Sequence, residues 1–338
     1  MELKRVEDQV VVVVGASSGI GRATALRFAA RGAAVVVAAR GEAGLDSLVA
    51  EVEAAGGRAL AVVCDVADPQ QVQRVADLAE GAHGRVDTWV DVAATSVFAR
   101  FEDTTPEEFR RVMEVNYLGQ VHGMLAALPA LRRAGGGALI AVSSVEALVS
   151  LPMHAAYSAS KHAVEGAVDA VRRELRAERA PISVTSVKPG TINTPFFANA
   201  RHRMDVAPKG PPPWYQPEVV ADCILFAAEH PVRDLYAGGG GRQMALAQIA
   251  APHLVDRVLG RVGIPATRTH RPEPGGSEGN LYAPRPDDRV RGDFSGRARR
   301  LSLYTWARLH RPAAVGLATA AVAAGRAAVR RSDAAGPG

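Results

Sequence analysis

The sequence predicts an α/β fold built on a doubly wound parallel sheet, as one large domain with a C-terminal extension. Three observations predict it. Short runs rich in valine and alanine recur along residues 9–188 and alternate with segments of helical length. These runs are apolar on both faces, as strands are when helices cover both sides of a parallel sheet. The first run also leads through a glycine-rich turn directly into a helix, the unit on which doubly wound folds open.

The elements follow in order. Residues 9–14 are a β-branched run ended by glycine and read as a buried strand. Residues 20–30 read as a helix, 33–39 as a second strand, 42–55 as a helix, 58–63 as a strand, 70–82 as a helix and 86–93 as a strand. One long helix is expected over 106–133, led by Thr105 as N-cap with Glu108 three residues on. A strand at 138–143, a helix at 154–179 that ends before Pro181, and a strand at 182–188 complete the alternation. Past residue 238 the alternation stops. Residues 265–300 are rich in Pro, Gly and Arg and read as an irregular arm, and a helix-prone segment over about 300–331 closes the chain. The expected organisation is a domain over 1–250 and a basic extension over 251–338.

Composition narrows the function classes. The chain has 338 residues, 48% of them hydrophobic, enough for a large core. Its two cysteines, Cys64 and Cys223, form no CxxC and sit in apolar surroundings. That pattern suits a reducing cytoplasm and argues against a disulfide framework or a metal site. The charged start does not read as a secretory signal, and no stretch reaches the eighteen or so apolar residues of a spanning helix. The net charge of +5 is unevenly spread: residues 251–338 hold 15 Lys and Arg against 7 Asp and Glu, and the rest of the chain holds 25 against 28. The basic character therefore belongs to the extension and says little about the main domain's partners.

Two features carry chemistry. Tyr157 and Lys161 are four residues apart on an expected helix, so they share a face. An ammonium beside a phenol favours phenolate, which predicts a lowered tyrosine pKa and a general acid/base. Ser144 stands thirteen residues upstream, at the end of an expected strand. The second feature is Gly15-Ala16-Ser17-Ser18-Gly19-Ile20-Gly21, placed between the first strand and the first helix. Glycines let the backbone turn and approach a pyrophosphate, and a helix N-terminus offers free N–H groups. Gly15, Ser17, Ser18, Gly19, Ile20 and Gly21 are thus expected dinucleotide contacts. At the end of the second strand, where an acidic residue would bind the ribose of NAD, stands Arg40, which can pair with the 2′-phosphate of NADP. NADP(H) is therefore the expected cofactor, with NAD(H) as the alternative.

Glycine loop, strand-end serine and Tyr-x-x-x-Lys, in this order, closely resemble the short-chain dehydrogenase/reductase family, over roughly residues 5–240. The resemblance implies a Rossmann-type fold, hydride transfer between a nicotinamide and a carbonyl or alcohol carbon, and a homodimer or homotetramer formed through the long helices. It implies that Tyr157 is the general acid/base, that Lys161 tunes it and binds the nicotinamide ribose, and that Ser144 donates to the substrate oxygen. Asn116 would hold a water that relays protons to Lys161. Further cofactor contacts implied are Asp65 and Val66 at the adenine, Ala93 behind the ribose, and Pro189, Gly190, Ile192 and Thr194 at the nicotinamide and pyrophosphate. One stretch departs from the family. Its usual Asn-Asn-Ala-Gly is here Asp91-Val92-Ala93-Ala94, and a buried Asp91 must find donors or take up a proton. The alternative reading of this departure is a nucleotide-binding scaffold or regulatory protein without turnover.

Residues 195–217 follow the cofactor segment and hold Phe196, Phe197, Trp214 and Tyr215. By position they form a lid, which suggests an apolar or bulky substrate. His154, three residues before Tyr157, could line the pocket, but it reads as a helix-start residue without chemistry. In the extension, arginines flank an uncharged run, residues 312–325. It is too short to span a membrane, so packing on the domain or on a neighbouring subunit is expected, with peripheral membrane contact as the alternative and no nucleic-acid binding.

Overall fold

The computed structural model describes residues 1–294 and 296–316. Seven strands form the central sheet: β1 (Val10–Val14), β2 (Ala34–Ala39), β3 (Arg58–Val63), β4 (Thr88–Asp91), β5 (Gly137–Val142), β6 (Ile182–Pro189) and β7 (Asp234–Ala237). Their order is β7-β6-β5-β4-β1-β2-β3 and every pairing is parallel. The chain thus winds outward in both directions from β1 and β4, as the alternation predicts.

Helices α1 (Gly19–Ala30), α2 (Glu42–Ala54) and α7 (Glu218–Glu229) cover one face, and α3 (Pro69–His83), α5 (Gly119–Arg133) and α6 (Ala155–Ala177) the other. The period of two along the strands divides the core between them. Val11, Val13, Val35 and Val37 meet Phe28, Leu45 and Ile224, whereas Val12, Val14, Val36 and Trp89 meet Val75, Leu131 and Val168. All five residues of β1 are buried, each valine contributing about 1.5–3 kcal/mol relative to exposure. Helix starts follow local chemistry. Asp68 caps α3 by accepting from the Gln70 and Gln71 N–H groups. Thr105 and Glu108 form the expected reciprocal capping box on α4 (Pro106–Met113).

Three expectations change. The long helix over 106–133 is interrupted by a π-helical turn, Glu114–Leu118, between α4 and α5. Helix α7 falls where no element was expected, although its less buried positions, Glu218, Asp222, Phe226 and Glu229, recur on one side at helical spacing. Past residue 238 the chain adds α8 (Gly239–Ala250), α9 (Pro252–Ala266), and a strand Arg268–Pro272 paired antiparallel with Val206–Pro208. Residues 277–294 then run back over the domain without regular structure, as an irregular arm should. Of the closing helix expected over about 300–331, the described residues hold α10 (Leu303–Leu309) and helical residues 311–316, broken at His310. The Thr305 hydroxyl of α10 donates to the Tyr236 carbonyl at 3.2 Å and accepts from the Gly238 N–H at 3.0 Å, so α10 packs against the edge of the sheet. Residues 317–338, with most of the uncharged run and Arg326, Arg330 and Arg331, lie outside the described residues. No helix among the described residues is long and apolar enough to cross a membrane.

Candidate active site

A cavity of about 400 Å³ opens at the carboxyl ends of the strands, where doubly wound sheets bind ligands. The turn after β1 forms one wall. Gly15 takes a φ of +90°, and an added Cβ would lie 2.5 Å from the Ala93 nitrogen. At Gly21 an added Cβ would lie 2.0 Å from the Gly15 carbonyl oxygen. Only glycines allow this turn to close against both the β4 loop and α1. Ser18 is the N-cap residue of α1, yet its side chain makes no capping bond. Ser18, Gly19 and Ile20 bring the start of α1 to the cavity wall, where the Gly19 N–H donates to the Arg289 carbonyl at 3.0 Å. Gly15, Ser17, Ser18, Gly19, Ile20 and Gly21 all line the space.

The opposite wall comes from β5, β6 and α6. Ser144 follows β5, and α6 begins at Ala155, so Tyr157 and Lys161 fall in its first two turns and on one face. All three line the cavity and are buried. The Ser144 hydroxyl accepts from the Glu146 N–H at 3.1 Å and acts on the neighbouring Tyr157 phenol. The Lys161 ammonium donates to the Val142 carbonyl at 2.9 Å and lies 5.7 Å from the centre of the Tyr157 ring. Pro189, Gly190, Ile192 and Thr194, which continue from β6, line the cavity between the two walls.

The electrostatics differ from the simple Tyr–Lys expectation. Burial pushes the Tyr157 phenol above its ordinary range, the negative charge of Glu146 adds to this, and the Ser144 hydroxyl pulls the other way. Burial also pulls Lys161 down to about 8, against the nearby charges of Glu165, Asp91 and Glu146. The lowered phenol pKa expected from the spacing is thus reversed, because burial and the Glu146 charge both disfavour phenolate. A phenol held protonated is a proton donor.

Asn116 is brought close but not into the cavity wall. The π-turn places its amide against the loop after β4. It accepts from the Thr95 N–H at 2.8 Å and donates to the Thr95 carbonyl at 2.9 Å and the Ser160 hydroxyl at 3.0 Å. The side chain pins that loop to α6. Val66 and Ala93 line the cavity, whereas Asp65 does not. The Asp65 carboxylate accepts from Arg111 at 2.7 Å and from the Ala67 N–H at 3.0 Å. Arg40 lines the cavity, and its guanidinium donates to the carbonyls of Asn280 and Tyr282 in the C-terminal arm, at 2.5 and 3.4 Å. Asp91 is buried and accepts from the Trp89 indole at 2.9 Å, while its second oxygen has no partner among the described residues. Burial pushes its carboxyl up to about 7.

Within the lid, Phe196 and Phe197 line the cavity, and Phe196 sets its ring edgewise on Tyr157 at 5.5 Å. Trp214 stacks instead on Phe294 of the arm. Two groups were missed or discounted in the sequence. His154 and Glu146 line the cavity beside Tyr157, with His154 Nδ1 3.0 Å from both Glu146 oxygens. No local pattern marks them, since they come from separate elements eight residues apart. The arm was also missed as a wall: Asn280, Pro284, Asp287 and Asp288 line the same cavity.

A family model, described as short chain dehydrogenase, matches residues 9–205. This chain belongs to the short chain dehydrogenase family. It is an oxidoreductase of that family, on a Rossmann-type fold. It is similar, at 38% identity over 327 residues, to the uncharacterized oxidoreductase YxnA of Bacillus subtilis (strain 168), covering 96% of this chain and 90% of the relative. Dehydrogenase/reductase SDR family member 7B of Bos taurus is 37% identical over 201 residues, which span 58% of this chain and 61% of that one. Among solved structures, a Mycobacterium paratuberculosis short chain dehydrogenase bound to NAD superposes with a TM-score of 0.64 at 30% identity, covering 71% of this chain and all of that one. An alcohol dehydrogenase of Thermococcus sibiricus complexed with 5-hydroxy-NADP gives 0.59 at 26% identity, covering 68% and 95%. The likeness to YxnA therefore takes in the extension, which the family model does not reach.

Proposed function

We propose that the protein catalyses hydride transfer between a nicotinamide dinucleotide and a carbonyl or alcohol carbon, with Tyr157 as the proton-transfer group. The observation that carries this reading is that the Ser144–Tyr157 pair and Lys161 share one cavity with the glycine loop. The loop suits a dinucleotide, because its glycines let it turn tightly against the Ala93 backbone and the start of α1 while Gly15, Ser17, Ser18 and Gly19 line the cavity. When bound, the nicotinamide supplies or takes up the hydride. Ser144 orients the substrate oxygen. Tyr157 gives that oxygen its proton in reduction and removes it in oxidation. Lys161, held on the Val142 carbonyl, places a positive charge beside the phenol and stabilises the phenolate left after proton donation.

Arg40 supports a preference for NADP(H), since only two of its five N–H donors are committed to the arm's carbonyls. Phe98, Phe196 and Phe197 on the substrate side support an apolar or bulky substrate. Exposed Leu118 and Leu125, seven residues apart on the long helical segment, support a homo-oligomer. The two buried free cysteines support a cytoplasmic location.

The test is Tyr157→Phe. Turnover on a panel of carbonyl substrates should fall by about 10²–10⁴-fold, while NADPH binding, followed by its fluorescence, stays within about twofold. Wild-type turnover in this variant would refute the assignment. Nucleotide binding by the wild-type protein without turnover on a broad panel would favour a scaffold instead.

A further inference from the structure

The C-terminal arm lies outside the segment matched by the family model, yet it runs along the open rim of the cofactor cavity. Asn280 stands at one side, where its side-chain oxygen accepts from the Thr95 hydroxyl at 2.9 Å and its carbonyl from Arg40 at 2.5 Å. Leu281 is fully buried against Val97, Val112 and Ala156. Pro284 reaches Gly41. Asp288 then accepts from the Ser47 hydroxyl at 2.8 Å and lies 3.9 Å from Arg22. The next carbonyl, that of Arg289, accepts from the Gly19 N–H at 3.0 Å, on the phosphate loop itself. Gly292 closes the circuit. Its N–H donates to the Asn193 carbonyl at 3.1 Å, and an added Cβ there would lie only 2.4 Å from the Thr194 carbonyl oxygen. Phe294 donates its N–H to the Asn193 side chain at 2.9 Å.

We propose that this arm, residues 277–294, is part of the cofactor site, walling in the adenosine and pyrophosphate end and holding the bound dinucleotide against release. The inference rests on the nicotinamide-dependent reading of the cavity. Its physical basis is the path of the arm. It bridges the end of β2, the start of α1 and the segment after β6, the three places a dinucleotide on this fold must touch. A ligand held there leaves only when these contacts part. The tethers are mostly single hydrogen bonds around one buried anchor, so the arm can part from the rim while the domain stays folded.

Two full-length variants loosen the arm without touching the phosphate loop or the proton-transfer residues. Gly292→Ala forces the arm away from Thr194, and Asp288→Ala removes the tether to Ser47 and Arg22. Release of NADPH and of NADH, followed by stopped-flow fluorescence, should be at least about tenfold faster in each. Gly260→Ala on α9, where an added Cβ meets nothing within 4 Å, should leave the rate unchanged. In the wild-type protein, hydrogen exchange over residues 280–292 should slow on saturation with NADPH. That second readout needs no variant to fold. Unchanged release in both variants, or unchanged exchange across the arm with nucleotide bound, would overturn the role of the arm alone. Failure of the wild-type protein to bind either nucleotide would overturn the cofactor reading and the arm's role with it.

Discussion

The imidazole of His154 lies flat against the phenol of Tyr157, ring centres 4.4 Å apart and planes 11° from parallel. Phe98 stacks on the other face of His154 at 4.2 Å. Glu146 fixes the imidazole edge at Nδ1 and accepts from the Ser158 hydroxyl at 2.8 Å, while Nε2 has no partner among the described residues. The ring that carries the proposed proton transfer is therefore positioned by a carboxylate two residues beyond Ser144.

The charge on that carboxylate also acts on the phenol. A negative group nearby disfavours phenolate, and Glu146 is the largest contribution to the raised Tyr157 pKa after burial. Glu146→Gln retains an acceptor for His154 and Ser158 and removes the charge, with Lys161 left in place. The phenol pKa should then fall, and the pH at which alcohol oxidation reaches half its plateau should move lower by about one pH unit. An unmoved pH profile in a folded variant would show that Glu146 only supports the structure.

Cofactor choice should turn on Arg40. Replacing it with aspartate puts a carboxylate at the end of β2, where a 2′-phosphate is repelled and a ribose hydroxyl accepted. Arg40→Asp should lower the NADPH/NADH ratio of kcat/KM by at least about tenfold. An unchanged ratio would place nucleotide selection elsewhere on the rim.

Asp91 should make the fold less stable at neutral pH than it is in acid. Its carboxyl rises from 3.8 to about 7 in the folded chain. The folded state thus holds a proton that the unfolded state has released. The contribution is fully present below pH 3.8 and is lost as the pH rises to about 7. Asp91→Asn removes this dependence. At pH 8 the variant should be more stable by about 2 kcal/mol, less than the full linkage value because the amide is imperfectly paired. At pH 3.5 the gain should vanish. Urea unfolding at the two pH values checks both, and a gain that is the same at each would rule out a titrating Asp91.

Much of the fold and half of the site could be read from the chain because their signals are local. Strand alternation, the glycine loop between β1 and α1, and the Tyr157–Lys161 spacing each lie within one or two turns of chain. The break at Glu114–Leu118 was not legible, because a π-turn is set by what the side chains on either side must reach. In this case Asn116 reaches Thr95 and Ser160. Helix α7, by contrast, carries a helical period, its less buried Glu218, Asp222, Phe226 and Glu229 lying on one side.

By itself, then, the sequence determined the doubly wound sheet, the place of the glycine-rich loop and the shared helix face of Tyr157 and Lys161. These follow from backbone geometry and hydrophobic period, which act over a few residues. Only the tertiary structure decided the environment of that pair and the rim of its cavity. Whether a phenol is raised or lowered depends on desolvation and on charges such as Glu146 that chain folding brings near. Whether an arginine at the end of β2 faces open solvent depends on an arm some 240 residues further along the chain. Such contacts depend on how distant elements pack, and no local pattern encodes them.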